Sequence, residues 1–138
     1  MPSILTRALG FSPYDLVTGG LAAAPLAAGA VTLTVFSSTS LHAATAAATG
    51  GTAPYSYQFQ RAPDVSGSPG AFANDGTAGI GQAITDTGLT ASTTYWYRVV
   101  VTDASSNTAT STAVAGTTSA SGAAPKLRWF PGLGRRCR

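Results

Sequence analysis

The chain has 138 residues, and only 9% of them are charged, against about 25% in an ordinary soluble domain. This length holds one domain of about 90–100 residues with an extension at each end, and such a domain needs no disulfide or metal to fold. Serine and threonine take the place of the missing charges, as is typical of β-sheet surfaces. The composition therefore indicates a β-rich protein and excludes a Lys- and Glu-rich helical one.

The net charge of +3 is unevenly distributed along the chain. Three arginines against five aspartates give residues 1–125 a net charge of −2, whereas residues 126–138 carry five cations and no acid. The basic character of the protein therefore belongs to one short segment, and the predicted domain is weakly acidic.

Residues 1–29 are predicted to form an N-terminal arm with a short helix. Ser12-Pro13-Tyr14-Asp15 has the residue types of a helix start, and Gly19-Gly20 would end that helix. The arm holds more apolar residues than a solvated segment usually does, among them Phe11, Tyr14 and Leu16. We expect the arm either to dock on a partner or to cover an open edge of its own domain.

Residues 21–36 form an apolar run that Pro25 and Gly29 interrupt. About twenty residues precede the run, and from Val31 onward its apolar residues alternate as in a strand, so it lacks the form of a signal peptide. It is also too short and too broken to cross a bilayer. We therefore expect no secretion signal and no membrane span.

Residues 30–118 alternate apolar and polar side chains with the period of two that predicts β-strands. A long loop with a short strand at 71–73 is predicted over residues 62–79. Tyr57 and Phe59 share the inward face of one strand, and Tyr95 and Tyr97 share that of the strongest one. The pattern predicts an all-β sandwich of about seven antiparallel strands, with its main strands at 30–36, 41–49, 55–61, 81–89, 94–103 and 108–117.

The segment from Leu89 to Tyr95, which leads into Tyr97, resembles a motif of fibronectin type III domains. In that family a leucine lies six residues before a tyrosine whose hydroxyl bonds to nearby backbone, an arrangement called the tyrosine corner. The resemblance assigns these roles to Leu89 and Tyr95. Residues 50–58 are similar to the region between the second and third strands of bacterial and phage-encoded domains of this kind. The second strand lacks the Trp that is usual in the family. The resemblance implies a fibronectin type III-like member of the immunoglobulin-like sandwiches.

The sequence offers little for catalysis or metal binding. Acid–base chemistry needs paired carboxylates, a partnered histidine or an activated cysteine, and the five aspartates are scattered and mostly predicted at turns. Zinc needs three or four Cys or His ligands, and the chain has only His42, predicted as an ordinary strand residue, and Cys137. We predict no enzymatic activity, metal or cofactor. Cys137 is either a free thiol or forms a disulfide between chains.

Residues 119–138 are predicted to form a linker followed by a basic, aromatic tail. The tail interleaves cations with apolar side chains, and we predict partner contacts at Arg128, Trp129, Phe130, Arg135 and Arg136. Such a segment docks into an apolar pocket on an acidic protein surface, binds nucleic acid through phosphates and stacked bases, or stays solvated. The adjacent Trp and Phe, which are costly to leave in water, favour protein docking.

These features favour a subunit of a larger assembly. Phages use immunoglobulin-like and fibronectin-like domains as decorations on capsids, tails and fibres, and such proteins are made in the host cytoplasm without a secretion signal. Our leading hypothesis is a phage virion structural protein, a capsid decoration protein whose arm and tail anchor it to capsid or other virion proteins in a symmetric multi-copy assembly. The alternatives are a bacterial secreted or cell-surface adhesion module, and a nucleic-acid-binding accessory that acts through the basic tail.

Overall fold

The computed structural model describes residues 23–122, and these residues form nine β-strands and no helix. No segment of this range is therefore a helix that is long and apolar enough to cross a membrane. The strands are β1 (Val31–Val35), β2 (Ser40–Thr45), β3 (Ser56–Val65), β4 (Ser68–Pro69), β5 (Ala73–Asn74), β6 (Ala83–Thr87), β7 (Thr94–Thr102), β8 (Thr108–Thr110) and β9 (Val114–Thr117).

The strands form two antiparallel sheets that face each other. The smaller sheet has the order β1-β2-β6, and the larger has the order β4-β3-β7-β8, with β5 also paired to β3 and β9 to β7. The longest ladder joins β3 to β7 over eight pairs, from Ser56 opposite Thr102 to Pro63 opposite Tyr95. This arrangement is an all-β sandwich, as the alternating sequence predicts.

The core lies between the sheets and is built from the inward half of each alternating strand. In β7 the side chains of Tyr97, Val99 and Val101 are fully buried, whereas their neighbours on the outer face are half-buried. Phe59 from β3 and Leu41 from β2 meet them from the two sheets. Because side chains alternate across a strand, every second residue faces outward and can be polar without reducing the apolar core.

Two predicted segments differ from the structure. The predicted strand 108–117 is split into β8 and β9, because the Val99 N–H donates to the Ser111 hydroxyl at 3.0 Å instead of to a backbone carbonyl. The predicted loop 62–79 contains the end of β3 and a tight hairpin to β4. Asp64 Oδ2 accepts from the Gly67 N–H at 3.0 Å, and Gly67 has a φ of 86° that suits a glycine at this turn.

The chain reaches the sandwich at one end and leaves it at the other. Residues 23–30 lie at an end that we call the proximal pole, where the Ala27 and Thr49 backbones pair and the Gly51 N–H donates to the Ala24 carbonyl at 2.7 Å. At the opposite end, the distal pole, the Ser119 N–H donates to the Ser37 carbonyl and the Ser119 carbonyl accepts from Ser92. The flanking segments therefore start from opposite poles.

Candidate partner-binding surfaces

The residues predicted to define the fold lie at the centre of the structure. Tyr57, Phe59, Leu89 and Tyr97 are buried. Tyr95 is half-buried, and its hydroxyl accepts a hydrogen bond from the Thr90 N–H at 3.1 Å. This bond back to the turn before β7, above the buried Leu89, has the geometry of a tyrosine corner.

A polar cluster, which we call the inter-sheet cluster, joins the two sheets through Asp86. This aspartate lies on the inner face of β6 and is only 7% exposed. One of its oxygens, Oδ2, accepts from the Arg61 guanidinium at 2.6 Å and from the Tyr97 hydroxyl at 2.7 Å. Because a buried carboxylate is costly unless it is paired and hydrogen-bonded, these two donors from β3 and β7 fix the smaller sheet on the larger one.

Asp75 extends the inter-sheet cluster from the loop after β5. Its Oδ2 is buried and has no hydrogen-bond partner among the described residues. Burial, reinforced by the neighbouring charge of Asp86, raises the pKa of the Asp75 carboxyl to about 6. Protonation of Asp75 removes its repulsion with the neighbouring carboxylate, so the neutral form of Asp75 is favoured at mildly acidic pH. Burial also raises the pKa of the Tyr97 hydroxyl, which stays protonated and donating.

Sequence reasoning missed this cluster, because it treated the five aspartates as scattered and mostly at turns and gave Asp86, within the predicted strand 81–89, no partner. Asp86 follows the inward-facing Ile84 by two positions, so the alternation places its charge inside, whereas the Arg61 side chain stays 39% exposed and reaches in from β3. An aspartate at an inward position of a strand is therefore the signal that could have found the cluster. Asp75 carries no such signal, because it lies in a loop.

The contacts of the inter-sheet cluster join the two sheets. Within residues 23–122 no group of three or more His, Cys, Asp or Glu side chains is placed to hold a metal ion. The Asp86 carboxylate is engaged with Arg61 and Tyr97, and Asp75 lies near enough to be repelled by it, so the cluster contributes to stability and to its dependence on pH.

The outer face of β1-β2-β6, which we call the neutral face, presents no fixed charge. His42 donates to or accepts from the Thr85 hydroxyl at 3.1 Å and stacks on Phe36 at 5.3 Å between ring centroids, with the rings nearly parallel. Phe36 is 60% exposed. Hydroxyls and small side chains surround this pair, namely Thr32, Thr34, Ser40, Ala44, Ala83 and Thr87.

The outer face of the larger sheet is ordered by side-chain contacts. Trp96 donates its indole N–H to Asp64 Oδ1 at 2.7 Å, and this bond, with that of the Gly67 N–H, lowers the pKa of Asp64. The Arg98 guanidinium lies 4.0 Å from the centre of the Phe72 ring and donates to Gln60 at 2.7 Å. The loop that carries Phe72 is thereby held over the sheet, which leaves this face less open than the neutral face.

Asp103 organises the proximal pole, where two turns and residues 23–26 meet. Its carboxylate accepts from the side-chain and backbone N–H groups of Asn107 and from the backbone N–H groups of Thr52 and Ser105, at 2.8–3.0 Å. These donors lower the pKa of Asp103, with the Asn107 side chain first among them. Above them lies a cleft of about 350 Å³, the pole cleft, lined by Ala23, Ala24, Pro25, Leu26, Gly51, Thr52, Asn107 and Thr108.

The residues predicted to contact partners lie outside the described range. These are Phe11, Tyr14 and Leu16 in the arm, Cys137, and the tail residues Arg128, Trp129, Phe130, Arg135 and Arg136. Their roles stay predictions, as does the helix near Ser12. The described residues place the starting points of the two segments, at Ala23 and Gly122.

Solved structures similar to this sandwich include fibronectin type III domains. The sixth such domain of human fibronectin type III domain containing protein 3 has a TM-score of 0.58 at 21% identity, over 78% of this chain and 96% of its own. A domain of human collagen alpha-1(XX) chain has a TM-score of 0.56 at 16% identity, over 76% and 96%. The FN5 domain of Drosophila Lar has 0.51 at 18%, over 70% and 98%.

No family model and no curated protein sequence matches this chain. The structural likeness therefore shows the fold alone, which is a fibronectin type III-like sandwich. Such a fold does not by itself define a function or name a partner.

Proposed function

We propose that this chain is a non-enzymatic structural protein of a phage virion, a capsid decoration or accessory protein that displays its sandwich. The observation that carries the proposal is that an apolar arm and a basic, aromatic tail start from opposite poles of a weakly charged sandwich. Segments at both poles can hold one sandwich at two points of a larger assembly. The similarity of residues 50–58 to phage-encoded and bacterial versions of the domain supports the same choice.

The arm and tail are the proposed anchors, and the sandwich is the displayed body. The described residues carry Arg61 and Arg98 against four aspartates, so the sandwich is net acidic while the tail is strongly basic. A basic, aromatic tail complements acidic apolar pockets on a capsid surface, where Trp and Arg are preferred anchor residues. An anchored sandwich then leaves its neutral face free for the solvent.

The proposal is tested by following the chain in cells that express it from its own gene. Lysates are separated on a density gradient, and an antibody raised against residues 23–122 detects the protein in particle, envelope, nucleic-acid and free fractions. We expect co-migration with intact particles and antibody labelling on their outside. Recovery in the cell envelope or the medium, without particles, would reject the proposal.

The neutral face favours the second candidate, a secreted or cell-surface adhesion module. An aromatic pair surrounded by hydroxyls is suited to the faces and hydroxyls of a glycan. Glycan array binding that is lost in Phe36→Ala, together with envelope localisation, would favour this candidate over the virion protein.

A further inference from the structure

Strand β6 is an open edge of the smaller sheet, because among the described strands it pairs with β2 alone. In an antiparallel ladder every second pair is hydrogen-bonded, and the Thr45 N–H donates to the Gln82 carbonyl at 2.8 Å just before β6 begins. The backbones of Ile84 and Asp86 therefore bond to β2, and those of the alternate residues point the other way. This outward row, which we call the β6 edge, consists of three exposed residues, namely Ala83, Thr85 and Thr87. The described residues supply no backbone partner for it.

The β6 edge lacks the devices that usually keep an edge strand from pairing with another chain. Those devices are Lys or Pro residues, a β-bulge, or a charge that points inward. The sequence of β6, AITDT, has neither Lys nor Pro, and its register with β2 runs without a bulge. Asp86 points inward, but the Arg61 guanidinium and the Tyr97 hydroxyl of the same chain already bind its carboxylate at 2.6 and 2.7 Å. The β6 edge therefore presents open backbone groups and small uncharged side chains to a partner.

Both flanking segments start on the side of the sandwich that lies away from β6. Strand β1 packs against β9 at one side of the two sheets, so β6, at the other end of its sheet, lies on the side of β3. Ala23 lines the pole cleft together with Thr108 at the start of β8, and Ser119 closely follows the end of β9. Because the starting points of the arm and the tail are both on the side of β8 and β9, they leave the β6 edge open to a second molecule.

The β6 edge is complementary to a second copy of itself. In an antiparallel pair centred on Thr85, this residue lies opposite Thr85 of the second copy, and Ala83 lies opposite Thr87. All the outward backbone groups of the two strands then bond to each other, with about six hydrogen bonds in the pair. Cross-strand Thr–Thr pairs are favourable, and no like charges lie opposite each other. Of the possible partners, a second copy therefore satisfies the β6 edge without any further group.

We propose that two copies of this chain pair through their β6 edges and join their two smaller sheets into one continuous sheet. The same surface is used by both copies, so the contact has two-fold symmetry and closes at a dimer. The two neutral faces then lie side by side on one surface of that dimer. The contact uses neither the arm nor the tail, so its failure would leave the virion proposal standing.

The test uses sedimentation velocity on the full chain and its variants, with reductant present so that Cys137 cannot cross-link chains. Because two edge strands bury less area than a standard interface, the chain is followed up to about 1 mM. Thr85→Lys and Thr85→Glu each place like charges opposite each other at the two-fold axis. Thr34→Lys is the matched control, since Thr34 is exposed in the same row of the neutral face, beside His42, but lies two strands or about 10 Å from β6. Melting curves check that every variant is folded.

We expect the native chain and Thr34→Lys to reach the mass of a dimer with rising concentration. Each Thr85 variant should dimerise at least about fivefold more weakly. An equal mixture of Thr85→Lys and Thr85→Glu should restore the dimer, because opposite charges then face each other across the axis. A native chain that stays monomeric, or a Thr85→Lys variant that dimerises as Thr34→Lys does, would overturn the proposal. A mixture that associates no more strongly than its components would also overturn it, because Thr85 would then lie away from the axis.

Discussion

Asp75 is a described residue whose carboxyl changes its charge at mildly acidic pH. Its pKa of about 6 in the folded protein exceeds the value of 3.8 for a free side chain. The folded state therefore binds more protons than the unfolded state between about pH 4 and pH 6. Its contribution to stability is fully present below pH 4 and is lost as the pH rises through 6.

We expect Asp75→Asn to remove this pH dependence. In the native chain the free energy of unfolding should fall by about 1–2 kcal/mol from pH 4 to pH 7, less than full linkage because part of the carboxyl stays in water. The asparagine variant should show a flatter profile over the same range. Urea unfolding at several pH values measures both, and an equal slope in the two proteins would contradict the assignment. Asp64 and Asp103, whose pKa values are lowered, act in the opposite direction at lower pH.

Tyr95 and Tyr97 show how burial affects the contribution of a tyrosine hydroxyl to the free energy of unfolding. Tyr97→Phe removes a donor from the buried carboxylate of Asp86, and we expect a cost of about 2 kcal/mol. Tyr95→Phe removes an acceptor from the Thr90 N–H, which lies at an exposed turn where water can replace it. The expected cost is about 1 kcal/mol or less. Chemical denaturation of the two variants should give this order, and the reverse order would show that the inter-sheet cluster contributes little.

At the level of elements, the start of β1 depends on a close approach of two backbones. A Cβ on Gly29 would lie 2.1 Å from the Ala46 carbonyl oxygen, which cannot move without the strand. Gly29→Ala should therefore cost about 2 kcal/mol or more, in the manner of a backbone clash. Gly79→Ala is the matched control, because a Cβ there meets nothing within 4 Å. Similar melting temperatures for the two variants would contradict this explanation.

Alternation of side chains made β7 and the first part of β3 predictable, since a period of two over seven to ten residues fixes both the element and its inward face. The split between β8 and β9 was not predictable, because it depends on one Ser111 hydroxyl replacing a carbonyl as the partner of Val99. The pole cleft could not be predicted for a similar reason. It forms where residues 23–26, 51–52 and 107–108 meet, and no local sequence pattern indicates contacts between segments so far apart in the chain.

At the level of the whole molecule, the sandwich and its flanking segments have separate tasks in the proposed function. The sandwich supplies a stable body with few charges, and the segments that leave its two poles supply the attachment. The partner-contact residues Trp129, Phe130 and Phe11 were predicted from their cost in water and from neighbouring cations, and these residues lie outside the described range. By contrast, the residues that form the neutral face and the pole cleft were identified only from the structure.

The virion proposal is tested most directly by grafting the flanking segments onto an unrelated β-sandwich of similar size and measuring whether the carrier binds particles. Residues 1–29 and 119–138 are placed at opposite poles of the carrier, and its co-sedimentation with particles is compared with that of the native chain and of residues 23–122. The virion proposal predicts that the graft joins particles and that residues 23–122 alone do not. Binding of residues 23–122 with a graft that stays free would contradict it and assign the attachment to the sandwich.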